Sequence, residues 1–386
     1  MSSAQTARAG HFIQQAGGFK AFVPAPFPPT DLDVASLTEL LERATLALGR
    51  LVGSAEILLD PDLFVFMYVR REAVLSSQIE GTEASLVDLL EYEAQLEKAD
   101  REIDVKEIAS YIAALRYGLD RVKDLPLSLR LIRDIHRELM TGVRGGEPSK
   151  TPGEFRTSQN WIGGPTPATA RFVPPPVDPM RAALHELELF LHADGDLPLL
   201  IRVGLAHAQF ETIHPFLDGN GRVGRLLITF FLVHENVLRE PILYLSIFFK
   251  RHRQEYYDRL QAIREKGDWE GWLAFFLEGV AAVSAEATDT ARRIVALREE
   301  TRALINNELG RRAGSALTLL EGLFENPIVN VKRVESITGL SQPAANGLTN
   351  AMEDLGVLKE LTGKKTYRRF AFDSYLRLFE ERNQRS

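Results

Sequence analysis

The 386-residue sequence contains no cysteine. Disulfides, thiol nucleophiles and cysteine-containing zinc sites are therefore excluded, and a reducing, cytoplasmic setting is expected. No apolar run reaches the ~18 residues needed to cross a bilayer, because Arg, His or Glu interrupts the longest candidates, so no membrane partner is expected. Met1 to Gly10 lacks the apolar stretch of a secretory leader. An excess of positive charge is missing too. Lys and Arg number 46 against 53 Asp and Glu, a formal net charge of −7, so the chain as a whole is not a nucleic-acid coat. Nor does any segment repeat at solenoid length.

What is present is ordinary globular composition, 45% apolar and 26% charged, in a chain long enough for two or three domains. After an irregular lead, Gly10 to Thr30, ending in a proline-rich run, helical spacing dominates. Leu37, Leu40, Leu41, Ala44, Leu48 and Leu51 recur at threes and fours, as do Phe64, Met67, Tyr68, Arg71, Val74 and Leu75. Further helices are expected over Glu83–Leu96, Val105–Val122, Leu127–Met140 and Pro179–Leu191. Between the last two, GEFRTSQNWIGGPTPATARFVPPP (Gly153 to Pro176) reads as a β-hairpin or irregular flap. Leu199, Val203, Ala206, Phe210 and Ile213 then trace one helix face, which His214-Pro215 should end.

Beyond Ala313 the elements shorten: Leu317–Phe324, Val331–Ile337, a turn at Gly339-Leu-Ser341, then Pro343–Leu355 with Ser341 placed to cap it. An alternating stretch around Thr362-Gly363 follows. Helix, turn, helix and basic hairpin outline a winged helix. Charge is also redistributed here. From Ala313 onward ten Lys/Arg face nine Asp/Glu, and Lys359, Lys364, Lys365, Arg368 and Arg369 cluster against Glu360 alone.

The densest chemistry lies in His214-Pro-Phe-Leu-Asp218-Gly-Asn-Gly-Arg222-Val-Gly-Arg225. A helix ends at His214, the chain turns through Asp218–Gly221, and a new helix starts near Asn220. Its first N–H groups are unpaired and its dipole favours an anion, while the glycines permit close approach. Arg222 and Arg225, three apart, share a face and can clamp phosphate oxygens. Asp218 suits a hard cation such as Mg²⁺, and His214 supplies a base. Gly219 to Gly224 also matches the dinucleotide fingerprint GxGxxG, and Gly219 to Leu226 nearly matches a P-loop, but both need a preceding strand where this segment reads as helix. A metalloprotease site would lack a third ligand, since His207 lies two turns away and reads as structural. A plain helix corner with solvated charges is the bland alternative.

HPFLDGNGRVGR resembles the HPFx[D/E]GNGRxxR signature of the Fic (filamentation induced by cAMP) family at every specified position. The resemblance runs from about Phe22 to Leu309 and includes FVPAP, the GEFRTSQNWIGG flap and LYLS…YYDRL. It implies a mainly α fold: a Fic helical core with a β-hairpin flap, plus a C-terminal winged-helix (helix-turn-helix) domain. The implied layout is an N-terminal helical region (1–100), a catalytic core (101–309) and the winged helix (310–386). The implied activity is transfer of AMP from ATP to a Ser, Thr or Tyr hydroxyl of a protein, with pyrophosphate released.

In that scheme His214 is the base and Asp218 holds Mg²⁺. The amides of Gly219, Asn220 and Gly221, with the Asn220 side chain, form the anion hole within a nucleotide site running through Arg222, Val223, Gly224 and Arg225. Ile162, Gly163 and Gly164 of the flap, with Tyr256 and Tyr257, line the nucleotide. Ser76-Ser-Gln-Ile-Glu80-Gly81 resembles the family's inhibitory motif, in which Glu80 would occupy Arg225; read alone, it is a helix end with Glu80 exposed and Gly81 beyond it. The implied partners are ATP, a target protein docked on the 158–173 flap, DNA through the winged helix, and further copies of the chain as a homo-oligomer. A Doc-like phosphotransferase and a nucleotide-sensing DNA-binding regulator are the competing functions.

Overall fold

The computed structural model describes residues 8–57, 61–94, 102–193, 195–364 and 367–379; Lys365 falls outside them. The chain opens with a hairpin, strand β1 (Gly10–Gln14) antiparallel to β2 (Lys20–Pro24) in register Gly10↔Pro24 to Gln14↔Lys20. An irregular lead was the expectation, because glycine and proline obscure the alternation. Gly17 and Gly18, both at positive φ, make the turn, and Phe22 is buried against Phe172. The Phe22 N–H also donates to Val173 O at 2.9 Å, tying the hairpin to the end of the flap.

Helices then follow: α1 (Thr38–Ile57), α2 (Pro61–Ile79), α3 (Leu86–Glu93), α4 (Glu102–Val122), α5 (Leu129–Met140), α6 (Val177–His192), α7 (Leu199–Ile213), α8 (Asn220–His234), α9 (Ser246–Arg251), α10 (Arg253–Lys266) and the long α11 (Trp269–Glu308). The expected helix at Glu83 starts three residues later, because Ser85 and Asp88 form a capping box. Ser128 likewise caps α5 and sets its start at Leu129. Helix α7 differs more. One apolar face was expected, yet every residue from Leu200 to Ile213 is buried. It is enclosed by α6, α8, α10 and α11, and a helix packed on all sides shows no one-sided stripe. No helix among the described residues is long and apolar enough to cross a membrane.

The C-terminal elements are α12 (Ala313–Glu325), β3 (Ile328–Asn330), α13 (Val331–Thr338), α14 (Gln342–Asp354), β4 (Lys359–Glu360), β5 (Arg369–Ala371) and α15 (Asp373–Leu376). The three strands form an antiparallel sheet in the order β3-β5-β4. Gly339, at φ 69°, ends α13 in the left-handed region, where glycine carries no steric penalty. Ser341 stands at the N-cap of α14, but its hydroxyl makes no capping bond and Pro343 sits in the first turn. Arg298 and Arg302 of α11 hold Glu321 of α12 at 3.0 and 2.8 Å. Arg369 reaches Glu91 of α3 at 3.0 Å.

Candidate active site

Helix α7 stops at His214, whose N–H bonds Phe210 O at 2.9 Å while its own φ is 49°. A left-handed non-glycine residue is uncommon and costs backbone energy, so the surroundings must hold it. They do so through its carbonyl, which accepts from Arg156 Nε (3.0 Å) and Asn160 Nδ2 (3.1 Å). Asn160 Nδ2 also donates to Phe216 O (2.8 Å), and the Arg156 N–H donates to Pro215 O (2.9 Å). The start of the flap is thereby fastened to the loop behind His214. Burial, with Arg264 and Arg156 nearby, lowers the His214 imidazole to about 3 and keeps it neutral. Glu211 Oε2 lies 4.0 Å from His214 Nδ1, and burial raises that carboxyl to about 7.

The loop closes on itself through Asn220. Phe216 N–H donates to Asn220 Oδ1 and Asn220 Nδ2 donates to Phe216 O, both at 2.8 Å. The Asn220 side chain thus closes the loop through Oδ1 and one Nδ2 N–H, while its backbone N–H has no intrahelical acceptor. Gly219, at φ 75°, is the N-cap of α8. The Val223 N–H makes the first helical bond, to Gly219 O at 3.1 Å, which leaves the N–H groups of Asn220, Gly221 and Arg222 without intrahelical acceptors. Val223 itself is buried in the core, and Gly224 backs onto Glu211 and onto His207 Nδ1. Those two residues build the helix behind the site and do not face the loop's open side.

The two arginines have different surroundings. Arg225 is engaged through two of its nitrogens: Nε donates to Ser76 Oγ (2.8 Å), and Nη2 donates to Ser76 O (2.9 Å) and Glu80 Oε1 (2.8 Å). Glu80 follows the end of α2, and its carboxylate lies over Gly221 so closely that a Cβ there would sit 2.2 Å from Oε1. The isolated reading of an idle, exposed Glu80 therefore gives way to a paired one. The next turn is braced from behind. Thr82 Oγ1 donates to Glu107 (2.8 Å), the Glu83 N–H donates to Asp104 (2.9 Å), and Arg144 bridges both acids at 2.9 and 3.0 Å. Arg222 is equally buried, yet its neighbours are Met140 Sδ at 3.4 Å and Asp218 Oδ1 at 3.8 Å, and Nε and Nη1 have no partner. A buried guanidinium in that state is a strong anion acceptor.

His136, which the sequence reading did not single out, supports Asp218. Its ring stacks on Phe216 at 3.7 Å. Nδ1 accepts from Gly153 N–H (2.8 Å), so Nε2 carries the proton and donates to Asp218 O (3.1 Å). Burial lowers this imidazole to about 4, which preserves the neutral tautomer. The Asp218 carboxylate is half exposed, and its Oδ1 accepts from Gly219 N–H at 2.6 Å. One carboxylate beside unpaired N–H groups fits Mg²⁺, which keeps bound waters and takes phosphate oxygens. Among the described residues no three His, Asp or Glu side chains gather to hold a metal alone.

The flap is less regular than a hairpin. A single bridge joins Ile162 and Phe172 (2.8 and 3.1 Å), and the chain turns through Gly163 and Gly164 at φ 68° and 132°. Trp161 is 40% exposed, with its indole N–H held by Gly164 O at 3.1 Å. Of the tyrosine pair, Tyr256 is buried, with its hydroxyl 3.0 Å from His207 Nε2 and its ring stacked on Phe249. Only Tyr257 keeps a partly open face, so Tyr256 serves the core rather than a ligand surface. His207 is structural, as read from the sequence, and burial lowers it to about 3.

Comparison with known proteins places this geometry. Residues 38–120 match the Fic/DOC family N-terminal domain and residues 126–232 match the Fic/DOC family domain. Two relatives named protein adenylyltransferase Fic, from Culex quinquefasciatus and Aedes aegypti, are 30% and 32% identical over 177 residues, 45% of this chain. The match spans only 32% of each mosquito protein, about a third of its length. A crystal structure of a Fic family protein from Desulfovibrio desulfuricans shares the fold, with TM-score 0.57 at 19% identity, over 90% of this chain and 97% of that one.

Proposed function

The chain belongs to the Fic/DOC family, and on that premise we propose that it is a protein adenylyltransferase, moving AMP from ATP to a Ser, Thr or Tyr hydroxyl of a target protein or of the chain itself. One observation carries this reading: a neutral, buried His214 adjoins a helix start with unpaired N–H groups and an Arg222 guanidinium lacking partners. The N–H groups of Asn220 and Gly221 and the Arg222 side chain receive the phosphates. Asp218 would hold Mg²⁺, which neutralises phosphate charge when bound. The target hydroxyl loses its proton to His214 and its oxygen attacks the α-phosphorus; the bond from that phosphorus to the bridging oxygen breaks, and pyrophosphate leaves. Positioning and charge neutralisation carry most of the rate in such a displacement. The phosphates also offset Arg156 and Arg264, which raises the basicity of His214 when it is needed.

Glu80 is the built-in inhibitor in this reading. Its carboxylate already occupies Arg225 and the space over Gly221, so it competes with a terminal phosphate for both. The flap carries the target, with an extended segment lying along Asn160–Gly164 and its flanking side chain on Trp161. The test uses wild type and Glu80→Gly with Mg²⁺ and ATP labelled at either the α- or the γ-phosphorus, followed by intact-mass measurement. The variant should gain α-label and the mass of one AMP moiety, and wild type far less. Label from the γ-phosphorus would replace AMP transfer by phosphate transfer, and no label in the variant would remove the transferase reading.

A further inference from the structure

The C-terminal unit takes no part in the loop at His214, but it presents a surface with its own chemistry. Helices α13 and α14 are joined by the short turn Gly339-Leu340-Ser341. Ala345, Leu348, Thr349 and Met352 form the buried face of α14. On the outer face Gln342, Asn346 and Asn350 follow at intervals of four and so line up one above the other. Gln342 and Asn350 are exposed and Asn346 is half-buried. Pro343, Ala344 and Gly347 lie between them, and a Cβ added at Gly347 would meet nothing within 4 Å. No charged residue occurs in α14 before Glu353. The result is a smooth helix face with three amides, low enough for its backbone to approach a partner closely.

Cations frame this face. Arg312 lies across it with Nη1 3.5 Å from Gly347 O, and Arg368 Nη2 holds Asn350 Oδ1 at 2.5 Å. Lys332 and Arg333 are exposed in the first turn of α13. Lys364 is exposed between β4 and β5, and Tyr367 beside it is 90% exposed. Among the described residues from Ala313 onward, the exposed large apolar or aromatic side chains are Leu361 and Tyr367, both off α14. A protein partner would need an apolar or aromatic anchor at the centre of this face. A nucleic-acid duplex needs amides, small residues and flanking cations.

We propose that α14 is a DNA-reading helix, with Gln342 and Asn346 directed at base edges in the major groove of an adenine-containing duplex site, and Asn350, whose Oδ1 Arg368 holds, offering its Nδ2 donor beside them. Asn and Gln match the adjacent acceptor and donor of adenine in that groove. Lys332 and Arg333 in the first turn of α13 and Lys364 between β4 and β5 would meet phosphates, which set register without reading sequence. This surface operates independently of AMP transfer, so either reading can fail alone.

The test uses the full-length chain without ATP. Duplexes are selected from a random pool, and fluorescence anisotropy then compares a selected duplex with its scrambled counterpart across salt concentrations. The selected sequence should contain adenines and bind about tenfold or more tighter. Asn346→Ala and Asn350→Ala should each erase much of that preference while keeping affinity for scrambled DNA. Lys332→Ala and Lys364→Ala should weaken both duplexes alike and lower the salt slope by about one each. Unchanged circular dichroism and unchanged AMP transfer in the Glu80→Gly background verify that the variants fold. A selection that enriches nothing, or a preference that both Asn variants retain, overturns the proposal.

Discussion

The two sides of helix α8 are prepared differently. On the Arg222 side a buried guanidinium has Nε and Nη1 without partners, and its neighbours are the Met140 thioether and, at 3.8 Å, the Asp218 carboxylate. On the Arg225 side, one turn further along, Nε and Nη2 are held by Ser76 and Glu80. On the proposed function, one half of the anion site is open to a ligand and the other is occupied by the chain itself. The occupant comes from α2, some 145 residues away in sequence. On that proposal the site is assembled but only half available.

The largest expected effect bypasses this asymmetry. In the Glu80→Gly background, His214→Ala should lower AMP transfer by about 10²–10⁴-fold while ATP affinity, measured by calorimetry, changes little. Second, Glu80→Gly alone should make the two arginines alike. Label transfer should rise about tenfold or more, since losing a charge-assisted pair on a buried guanidinium is worth at least ~1.4 kcal/mol. Equal rates in wild type and variant would mean that the Arg225 side is not limiting. A smaller effect tests the brace behind Glu80. Arg144 is 60% exposed, and exposed pairs contribute little, so Arg144→Ala should raise transfer only about two- to threefold. A rise matching that of Glu80→Gly would show the brace to be the main restraint.

The smallest effect concerns pH. Glu72 lies beneath the Arg225 side, accepting from Tyr111 and Ser246, and burial raises it to about 7 from an ordinary 4.5. A raised folded value means that the native state holds a proton the unfolded chain releases. The associated stability is complete below pH 4.5 and is lost as pH rises through 7. Melting curves across that window should decline more for wild type than for Glu72→Gln, and parallel curves would remove Glu72 as the source.

Legibility in the sequence followed locality. The loop from His214 to Arg225 could be read because twelve consecutive residues carry the cradle, and most helices announced themselves by spacing. Glu80 could be paired with Arg225 only through resemblance, since nothing near either residue names the other. The brace was invisible for the same reason: Thr82, Asp104, Glu107 and Arg144 meet only when α2, α4 and the turn after α5 come together. His136, Arg156 and Asn160 act through side-chain hydrogen bonds to backbone groups, which leave no periodic trace. In α7 the pattern misled, because complete enclosure erases the contrast between faces on which such patterns depend. Asn220 looked like a ligand donor by its place in the motif, yet folding assigns its side chain to closing the loop.

Gly221 has a consequence for how this protein can change over generations. A methyl group at that position would collide with the Glu80 carboxylate, so even alanine would displace Glu80. Under the proposed AMP transfer the same methyl would also crowd an arriving phosphate, and the gain from release would be cancelled at once. On that proposal, variants that escape restraint arise at the end of α2 or in its brace, leaving the glycine untouched.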